Sequence, residues 1–384
     1  MKHLATGEEG NRGKRPGARR GGGEGPAMPA SAPAAAGLHN CAVGAPGRVA
    51  LLREAVASAE AAGLGPSAGS GDSGGGGLHI VEVRGSPLGA AWDPHGDVLA
   101  ACWKGKVAAY GWGAAGKDGA LLAESGVRFI PQALAVAGLP GGGRSYLLAL
   151  GGVLGAAFRI LERGAPGGGW TLLAAEAREA GAPPPPDGPT RPPVVCGLAL
   201  GAGAEIMATT SVEGGICIWA LRVGGERPVG VERRLLFEGR VPSDGVKVTS
   251  VQFSPDELSL AVLSWSGTVS LFRRRGDSWG PGLVLPAADS AVLPHWLPPL
   301  LCWVSRDVVA MAKGGGDAQG VFYFRVCEGW LEPLARGGEP ARRLRGLRGL
   351  ALSLPRQQSP GDPPRVVAFD AAGAMATEVP VSAL

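Results

Sequence analysis

The sequence has few of the residue patterns that mark a metalloprotein or a membrane protein. None of its five histidines stands at metal-ligand spacing from another histidine or from a cysteine. Its six cysteines show no such spacing either, and several fall inside predicted strands, which is typical of free cysteines in a reducing compartment. No run of about 18 apolar residues occurs, so no membrane-spanning helix is predicted. These absences predict a cytoplasmic protein that needs no metal.

Catalytic patterns are also scarce. No Gly-x-Ser-x-Gly stands at a strand-to-helix junction, and no glycine-rich segment leads into the Lys-Ser/Thr of a phosphate-binding loop. Asp93, His95 and Asp97 form a conceivable metal site, although the proline and glycine between them predict a turn. Glu176 and Glu179 stand at helical spacing, which is typical of a solvated helix face. We therefore predict no catalytic, cofactor-binding or metal-binding residues, and the partner-binding residues stay unassigned.

Lysine is rare, with 7 residues against 30 arginines, and the net charge is only +4. Basic residues concentrate at 12–20, 273–275 and 342–348, where they could contact the phosphate groups of RNA or of an acidic lipid. Solvated loops explain the same segments, because aromatic residues do not alternate with the arginines as they do in many RNA-binding segments. We expect no nucleic-acid partner, and RNA association remains an alternative.

Glycine and proline are abundant, at 66 and 33 residues, and they are distributed unevenly. Residues 1–77 are dominated by Gly, Ala, Pro, Ser and Arg, whereas apolar alternation is sustained from Leu78 onward. We expect a low-complexity leader at 1–77 and a folded domain at 78–384. Within the leader, apolar residues at helical spacing over 48–62, followed by Gly63, predict a short helix that docks on the domain.

The most informative positive feature is a repeated pattern of short strands. Residues 248–272 alternate apolar and polar positions, with a Ser-Pro-Asp turn after the first strand and a Ser-Gly turn after the second. Residues 88–110 repeat this layout, with Trp92-Asp93-Pro94 at the place of Phe253-Ser254-Pro255. Weaker copies keep only the second turn and the third strand. Together they give six candidate units.

Glycines in the second turn of five units indicate the length of the repeat. They lie 47 to 62 residues apart, slightly above the ~40–50 residues typical of propeller repeats. These glycines are Gly105, Gly152, Gly214, Gly267 and Gly320. Small sheets of this kind bury both faces when they stack radially around an axis. We predict an all-β, WD40-like β-propeller of about six to seven blades, and a β-sandwich is the alternative.

Tryptophan is the most abundant aromatic residue, with ten copies against three tyrosines. Tryptophans in or next to predicted strands are expected to pack between blades. These are Trp92, Trp103, Trp219, Trp265 and Trp303. Trp279, Trp296 and Trp330 fall near loops, where an exposed aromatic residue is a candidate interface anchor. Burial is nevertheless the first expectation for these three.

The order of features along the chain resembles one family. Gly-Ile-Cys-Ile-Trp-Ala-Leu at 215–221 precedes the Ser-Pro-Asp blade, which is followed by an apolar segment at 300–312 and by Glu-Gly-Trp-Leu-Glu-Pro at 328–333. This order is similar to that of the N-terminal domain of neuroblastoma-amplified sequence proteins, large subunits of an endoplasmic-reticulum tethering complex. The resemblance implies retrograde vesicle tethering from the Golgi to the endoplasmic reticulum. It also implies tethering-complex subunits or vesicle-fusion proteins as partners.

The resemblance covers most of residues 48–335. Members of the family continue into a long helical solenoid, whereas this sequence stops at Leu384, so a longer chain and a free-standing domain are both open. We predict a non-enzymatic protein-interaction scaffold, cytoplasmic and peripheral at the endoplasmic reticulum through its partners. The alternatives are a propeller adaptor of another complex, an RNA-associated propeller, and an enzyme with carboxylates or a metal near the central channel.

Overall fold

The computed structural model is an all-β protein. Every regular element that it describes is a strand, and the strands form small sheets that follow one another along the chain. The described residues are 38–44, 48–54, 78–83, 87–94, 96–112, 115, 117, 119–140, 145–164, 168–179, 194–224, 230–241, 248–264, 266–285, 300–313, 320–327, 330–334, 349–353, 365–369 and 375–380.

The sheets are the blades of a β-propeller, as predicted. The first four blades contain the following strands: β1 (Leu38–Gly44), β2 (Arg48–Glu54) and β3 (Leu78–Val83) in blade 1; β4 (Gly89–Trp92), β5 (Val98–Trp103), β6 (Lys106–Gly111) and β7 (Ala120–Gly126) in blade 2; β8 (Pro131–Gly138), β9 (Ser145–Gly152), β10 (Gly155–Arg163) and β11 (Trp170–Glu179) in blade 3; β12 (Val195–Leu200), β13 (Ile206–Ser211), β14 (Gly215–Gly224) and β15 (Gly230–Arg240) in blade 4.

Three more blades complete the described chain. Their strands are β16 (Val248–Phe253), β17 (Ser259–Ser264), β18 (Val269–Arg275) and β19 (Ser278–Leu285) in blade 5; β20 (Leu300–Trp303), β21 (Val308–Lys313), β22 (Gly320–Val326) and β23 (Leu331–Pro333) in blade 6; β24 (Gly349–Ser353), β25 (Arg365–Phe369) and β26 (Met375–Pro380) in blade 7. Neighbouring strands within blades 2 to 7 are antiparallel. Blades 3 and 4 are joined into one eight-stranded sheet, because β11 and β15 pair in parallel.

The innermost strands of the seven blades form a closed ring. The strands β1, β4, β8, β12, β16, β20 and β24 contact one another in this order, and β24 contacts β1. This closure fixes the number of blades at seven, at the upper end of the predicted range. The innermost strand of blade 1 comes from residues that the sequence analysis assigned to the leader.

Blades 2 and 5 confirm the predicted repeat at the level of individual hydrogen bonds. In their first turns, Asp93 N donates to Val98 O at 2.9 Å and Ser254 N donates to Ser259 O at 2.8 Å. The side chain of the first residue then closes each turn. Asp93 Oδ1 accepts from Val98 N at 2.6 Å, and Ser254 Oγ accepts from Ser259 N at 2.9 Å. The acidic or hydroxyl residue before the proline is therefore a turn residue in both blades.

The helix predicted over 48–62 is wrong for residues 48–54, which form β2. This strand pairs with β1 in antiparallel and with β3 in parallel orientation. Partners that are distant in sequence therefore override the local helical spacing. Residues 55–62 lie outside the described part of the chain. The domain boundary after residue 77 stays a prediction.

The turn glycine of blade 3 is Gly155, not the predicted Gly152. The backbone φ of Gly155 is 84°, similar to the 82°, 78° and 89° of Gly105, Gly214 and Gly267. Side chains other than glycine rarely adopt this left-handed conformation. Gly152 is the last residue of β9, and the predicted Gly320 is the first residue of β22.

Each central blade buries side chains on both of its faces. On β17, Leu260 and Val262 pack in a cluster shared with blade 4, whereas Ala261 and Leu263 pack in a cluster shared with blade 6. All four are fully buried. Since alternate side chains of a strand point to opposite faces, the strand needs a neighbour on each side. Burial of each leucine or valine contributes about 1.5–3 kcal/mol.

The four described tryptophans that were predicted to pack between blades are buried or half-buried. Trp303 is buried, and its Nε1 donates to Gln252 O of the neighbouring blade at 3.0 Å. Trp279 is also buried, whereas Trp330 is 53% exposed. The other three pack in hydrophobic clusters: Trp92, Trp103 and Trp219. Two lie outside the described residues: Trp265 and Trp296.

Candidate interaction site

The ring has two ends that carry different turns. At one end, the first turns of adjacent blades meet, and Ala202 N of blade 4 donates to Glu257 Oε1 of blade 5 at 2.6 Å. At the other end, the innermost strands begin, and hairpins join the second strand to the third in blades 2 to 5. Here blades 3 and 4 are in contact, because a Cβ added at Gly151 would lie 2.5 Å from Val195. We call this second end the hairpin face.

Five large apolar side chains are exposed on the hairpin face of blades 2 to 4. Each stands in a hairpin or directly before an innermost strand, and their exposed fractions range from 36% to 59%. They are Leu88, Ile130, Val153, Leu154 and Val212. Single exposed apolar residues are normal on a protein surface, whereas a group of them at one end of adjacent blades is typical of an interaction site.

Close packing links the blade 3 and blade 4 parts of this group. A Cβ at Gly152 would lie 2.5 Å from the ring of Phe129 and 2.9 Å from Ile130 O. The neighbouring Gly151 packs in the same way against Val195, the first residue of β12. Because both glycines lack a Cβ, the hairpin of blade 3 can lie directly against the adjacent chain segments. Its exposed residues are thereby held in place.

The hairpin of blade 3 has only two residues in its loop, Val153 and Leu154. The flanking Gly152 and Gly155 pair across the hairpin. Such loops normally carry asparagine, aspartate or glycine, because these residues tolerate the turn conformation and suit water. This exposed apolar pair was not predicted, because in the sequence the segment has only the pattern of a turn followed by a strand. An apolar dipeptide in a tight turn was the available signal.

A groove of about 360 Å³ opens in blade 4 beside Val212. Buried Thr209 and half-buried Cys217 contribute to its lining, and its rim carries three exposed charged residues. These are Glu213, Glu238 and Arg240. The groove combines hydroxyl, thiol and carboxylate groups with small side chains, so it can receive one or two side chains of a partner.

Trp219 and Arg233 hold Thr209, one of the residues that line the groove, in position. Trp219 Nε1 donates to Thr209 Oγ1 at 3.1 Å. The guanidinium of Arg233 lies 4.8 Å from the centre of the Trp219 ring, within the range of a cation–π contact. The arginine therefore stacks against this tryptophan.

The cysteine in the groove is poorly suited to nucleophilic chemistry. Burial, and secondarily the negative charge of Glu238, raise the pKa of the Cys217 thiol to about 11, against the lowering effect of Arg233. Burial likewise raises the pKa of Cys102 and of Cys302 to about 12. Since the thiolate is the nucleophilic form, these cysteines are inert at neutral pH and act as small packing residues.

The acidic candidates from the sequence do not assemble into a catalytic group within the described residues. Asp93 is buried, and its carboxylate accepts from the backbone amides of Asp97 and Val98 in the first turn of blade 2. His95 lies outside the described residues. No group of three or more metal-ligating side chains occurs among the residues that the structure places.

Glu176 and Glu179 are not on a helix, so the predicted helical face is wrong. They lie at the end of β11, which pairs with β15 over the same residues. Glu176 forms an exposed ion pair with Arg178 at 3.2 Å. Long-range strand pairing therefore overrides the spacing here as it does in β2.

Of the three arginine segments, only 273–275 lies in the described chain, at the end of β18. Arg273 donates to Cys327 O of blade 6 at 2.8 Å, and Arg274 donates to Gly276 O at 3.0 Å. Two of the three arginines thus stabilise backbone turns. In the part of the chain that the structure describes, no helix is long and apolar enough to cross a membrane.

Comparisons with known proteins find similarity in structure only. No protein-family model and no curated protein matches the sequence. Among solved structures, the chain is similar to the β-propeller domain of Cps50 (Swd1) from Myceliophteria thermophila, with 11% identity, a TM-score of 0.47, and coverage of 78% of this chain and 86% of that one.

Two further solved structures show a comparable likeness. Hsv2 of Kluyvelomyces marxianus has 15% identity and a TM-score of 0.40 over 64% of this chain and 67% of that one. A Bacteroides uniformis protein, provisionally described as a 6-phosphogluconolactonase, has 14% identity and a TM-score of 0.47 over 78% and 87% of the two chains. The β-propeller fold of this chain is shown by its own closed ring of seven blades.

Proposed function

We propose that this protein is a non-enzymatic scaffold that binds a partner protein on its hairpin face. The observation that carries the proposal is the exposure of five large apolar side chains at one end of blades 2 to 4. Covering such surface with a partner removes it from water, which contributes roughly 25 cal/mol per Å² of apolar area. The backbone glycines beneath the blade 3 hairpin hold this surface in position before a partner arrives.

The chemistry of the described polar residues also favours binding over catalysis. The carboxylate of Asp93 is used by a backbone turn, and the thiol of Cys217 is protonated at neutral pH. General acid–base catalysis needs a group poised near the working pH, and nucleophilic catalysis needs an activated nucleophile. The groove in blade 4 offers side-chain contacts that suit recognition.

The more specific proposal is a role in retrograde vesicle tethering, with peripheral attachment to the endoplasmic reticulum through partners. The support is the resemblance to the tethering-complex family. In the structure, residues 215–221 lie in β14, and residues 300–312 extend over β20 and most of β21. Trp330, from the most specific part of the resemblance, is 53% exposed between β22 and β23, at the end of the ring opposite the hairpin face, where it offers a partner a second contact.

A matched pair of leucine substitutions tests the proposed face. Leu154 is 59% exposed in the blade 3 hairpin, and Leu121 is 54% exposed on the outer strand of blade 2. The tagged full-length chain, Leu154→Asp and Leu121→Asp would each be captured from cells after mild crosslinking, with circular dichroism as the check on folding. Leu154→Asp is expected to reduce recovery of bound proteins about tenfold, the effect of 1.4 kcal/mol, while Leu121→Asp retains them.

Equal recovery from all three proteins would overturn the assignment of the hairpin face. The identity of the bound proteins tests the tethering role separately. Tether subunits or vesicle-fusion proteins of the endoplasmic reticulum, lost only with Leu154→Asp, would support it. If bound proteins are recovered and none belongs to these classes, the trafficking role is wrong and the scaffold remains.

A further inference from the structure

We propose that the groove in blade 4 receives a lysine or arginine side chain of the partner, while aliphatic residues beside it pack on the hairpin face. This inference rests on the proposed function and specifies the partner's chemistry. The groove measures about 360 Å³, near the lower end of the ~300–1,000 Å³ typical of ligand pockets. It is large enough for one or two side chains and too small for a globular surface.

The charges on the rim favour a cation. Glu213 and Glu238 line the groove together with one arginine, Arg240, so the rim carries one net negative charge. No other described residue forms a hydrogen bond or an ion pair with either carboxylate. A basic side chain entering the groove would neutralise the rim and give one of these carboxylates a charged partner.

The field of Glu238 reaches the floor of the groove. Residues Cys217 and Glu238 stand directly opposite each other on β14 and β15. The carboxylate is one of the causes that keep the Cys217 thiol protonated, after burial itself. The same field that opposes a thiolate stabilises a cation and repels an anionic group such as phosphate. The positive charge of Arg233 acts on the thiol in the opposite direction, so the preference for a basic over a phosphorylated partner segment depends on both rim carboxylates.

The position of the groove adds the aliphatic part of the motif. Val212 precedes Glu213 in the hairpin of blade 4 and is 46% exposed. On the other side, Val195 lines the groove and packs against Gly151, which leads into the blade 3 hairpin with its exposed Val153 and Leu154. A peptide whose basic residue enters the groove therefore has apolar surface on both sides.

A peptide array tests this chemistry directly. The full-length chain is applied to an immobilised array of random 12-residue peptides. The bound peptides are expected to share one lysine or arginine with an aliphatic residue nearby. The tightest binder is then measured in solution by fluorescence anisotropy. Glu213→Gln and Glu238→Gln should each weaken it up to about fivefold, the range of an exposed ion pair, and added salt should reduce this difference.

Glu232→Gln is the matched control. Glu232 is an exposed carboxylate of the same strand, β15, and does not line the groove, so its substitution should leave the affinity unchanged. Replacing the basic residue of the peptide by norleucine should weaken binding to the natural chain. The same replacement should have little further effect on Glu238→Gln, because the pair is already broken.

Three outcomes would overturn the inference: no peptide is bound, the bound peptides lack a basic residue, or Glu238→Gln behaves like Glu232→Gln. These failures are distinguishable from failure of the proposed function. If Leu154→Asp still removes bound proteins from cells, the hairpin face remains an interaction site and only the basic side chain is wrong. If Leu154→Asp has no effect there, the assignment of the hairpin face as the interaction site is wrong.

Discussion

The hairpin between β9 and β10 in blade 3 and the hairpin between β17 and β18 in blade 5 occupy equivalent places, yet their side chains differ in polarity. In blade 5, Ser264 Oγ lies 2.7 Å from Ser266 Oγ, which lies 3.1 Å from Thr268 Oγ1, and Thr268 N donates back to Ser264 Oγ. This hairpin satisfies its own polar groups. In blade 3, the corresponding loop presents Val153 and Leu154 to water.

The two hairpins share only one strict requirement. Gly155 and Gly267 adopt almost the same left-handed conformation, with φ of 84° and 89°. The residue before the glycine is Ser266 in one loop and Leu154 in the other, so this turn accepts either a hydroxyl or an aliphatic side chain there. The fold therefore requires the glycine, whereas the apolar pair of blade 3 is available for another purpose, which we propose to be partner binding.

The largest effect on stability is expected when the glycine that both hairpins require is replaced. Gly155→Ala and Gly267→Ala should each reduce the free energy of unfolding by about 1–2 kcal/mol, because a Cβ disfavours the left-handed conformation. Gly126→Ala is the control, since Gly126 has no atom within 4 Å of an added Cβ. Urea unfolding followed by tryptophan fluorescence measures all three. A Gly126→Ala midpoint as low as the other two would contradict the assignment.

A smaller effect on stability should distinguish the polar hairpin of blade 5 from the apolar hairpin of blade 3. Ser264→Ala removes a fully buried hydroxyl and the acceptor of Thr268 N, which should cost about 1 kcal/mol of stability. The double change Val153→Ser and Leu154→Ser exposes no buried group and should alter the stability by less than about 0.5 kcal/mol. Urea midpoints measure both. The comparison fails if the serine pair destabilises blade 3 as much as Ser264→Ala destabilises blade 5.

The smallest effect concerns the groove of blade 4, between these two blades in the ring. The folded-state pKa of Cys217, about 11, exceeds the ordinary value of 9.0. Its alkylation by iodoacetamide should therefore remain slow at pH 9 and accelerate toward pH 11, whereas the urea-unfolded chain should react with a midpoint near 9. Glu238→Gln should lower the folded-state pKa, because it removes a negative charge that opposes the thiolate. Mass spectrometry of the cysteine peptides measures these rates.

Coinciding pH midpoints for the folded and unfolded chains would contradict burial of Cys217. An unchanged folded midpoint in Glu238→Gln would mean that the field of this carboxylate does not reach the floor of the groove. The second result would also weaken the argument for a basic partner side chain.

Local turn chemistry made part of the fold predictable from the sequence. The Ser-Pro-Asp turn of blade 5 and the Asp-Pro turn of blade 2 contain the side chains that close them, so short-range signals were sufficient. Blade 1 could not be found in this way. Its β2 and β3 pair in parallel across residues 55–77, and no local pattern reports a partner so far along the chain. The error in the helix predicted over 48–62 has the same cause.

The candidate site was less predictable than the fold. Exposure of Val153, Leu154 and Val212 depends on where their hairpins lie in the assembled ring. A pattern of apolar residues in the sequence is the same whether the segment lies in the core or at the surface. The groove likewise arises from residues of four strands of blade 4, which only the completed sheet brings together. The sequence could indicate the class of protein, and the structure was needed to locate its surface.

Because β11 pairs in parallel with β15, the unfolding of blade 3 is coupled to that of blade 4. Residues Glu176 to Glu179 of β11 exchange backbone hydrogen bonds with Gly230 to Arg233 of β15, so neither outer strand can detach without exposing the other. We expect the two blades to open as one cooperative unit, with amide protons that exchange together. The blade 3 hairpin and the blade 4 groove belong to this unit. Thermal opening therefore removes both halves of the proposed binding surface at once, and a bound partner that bridges them protects the whole unit.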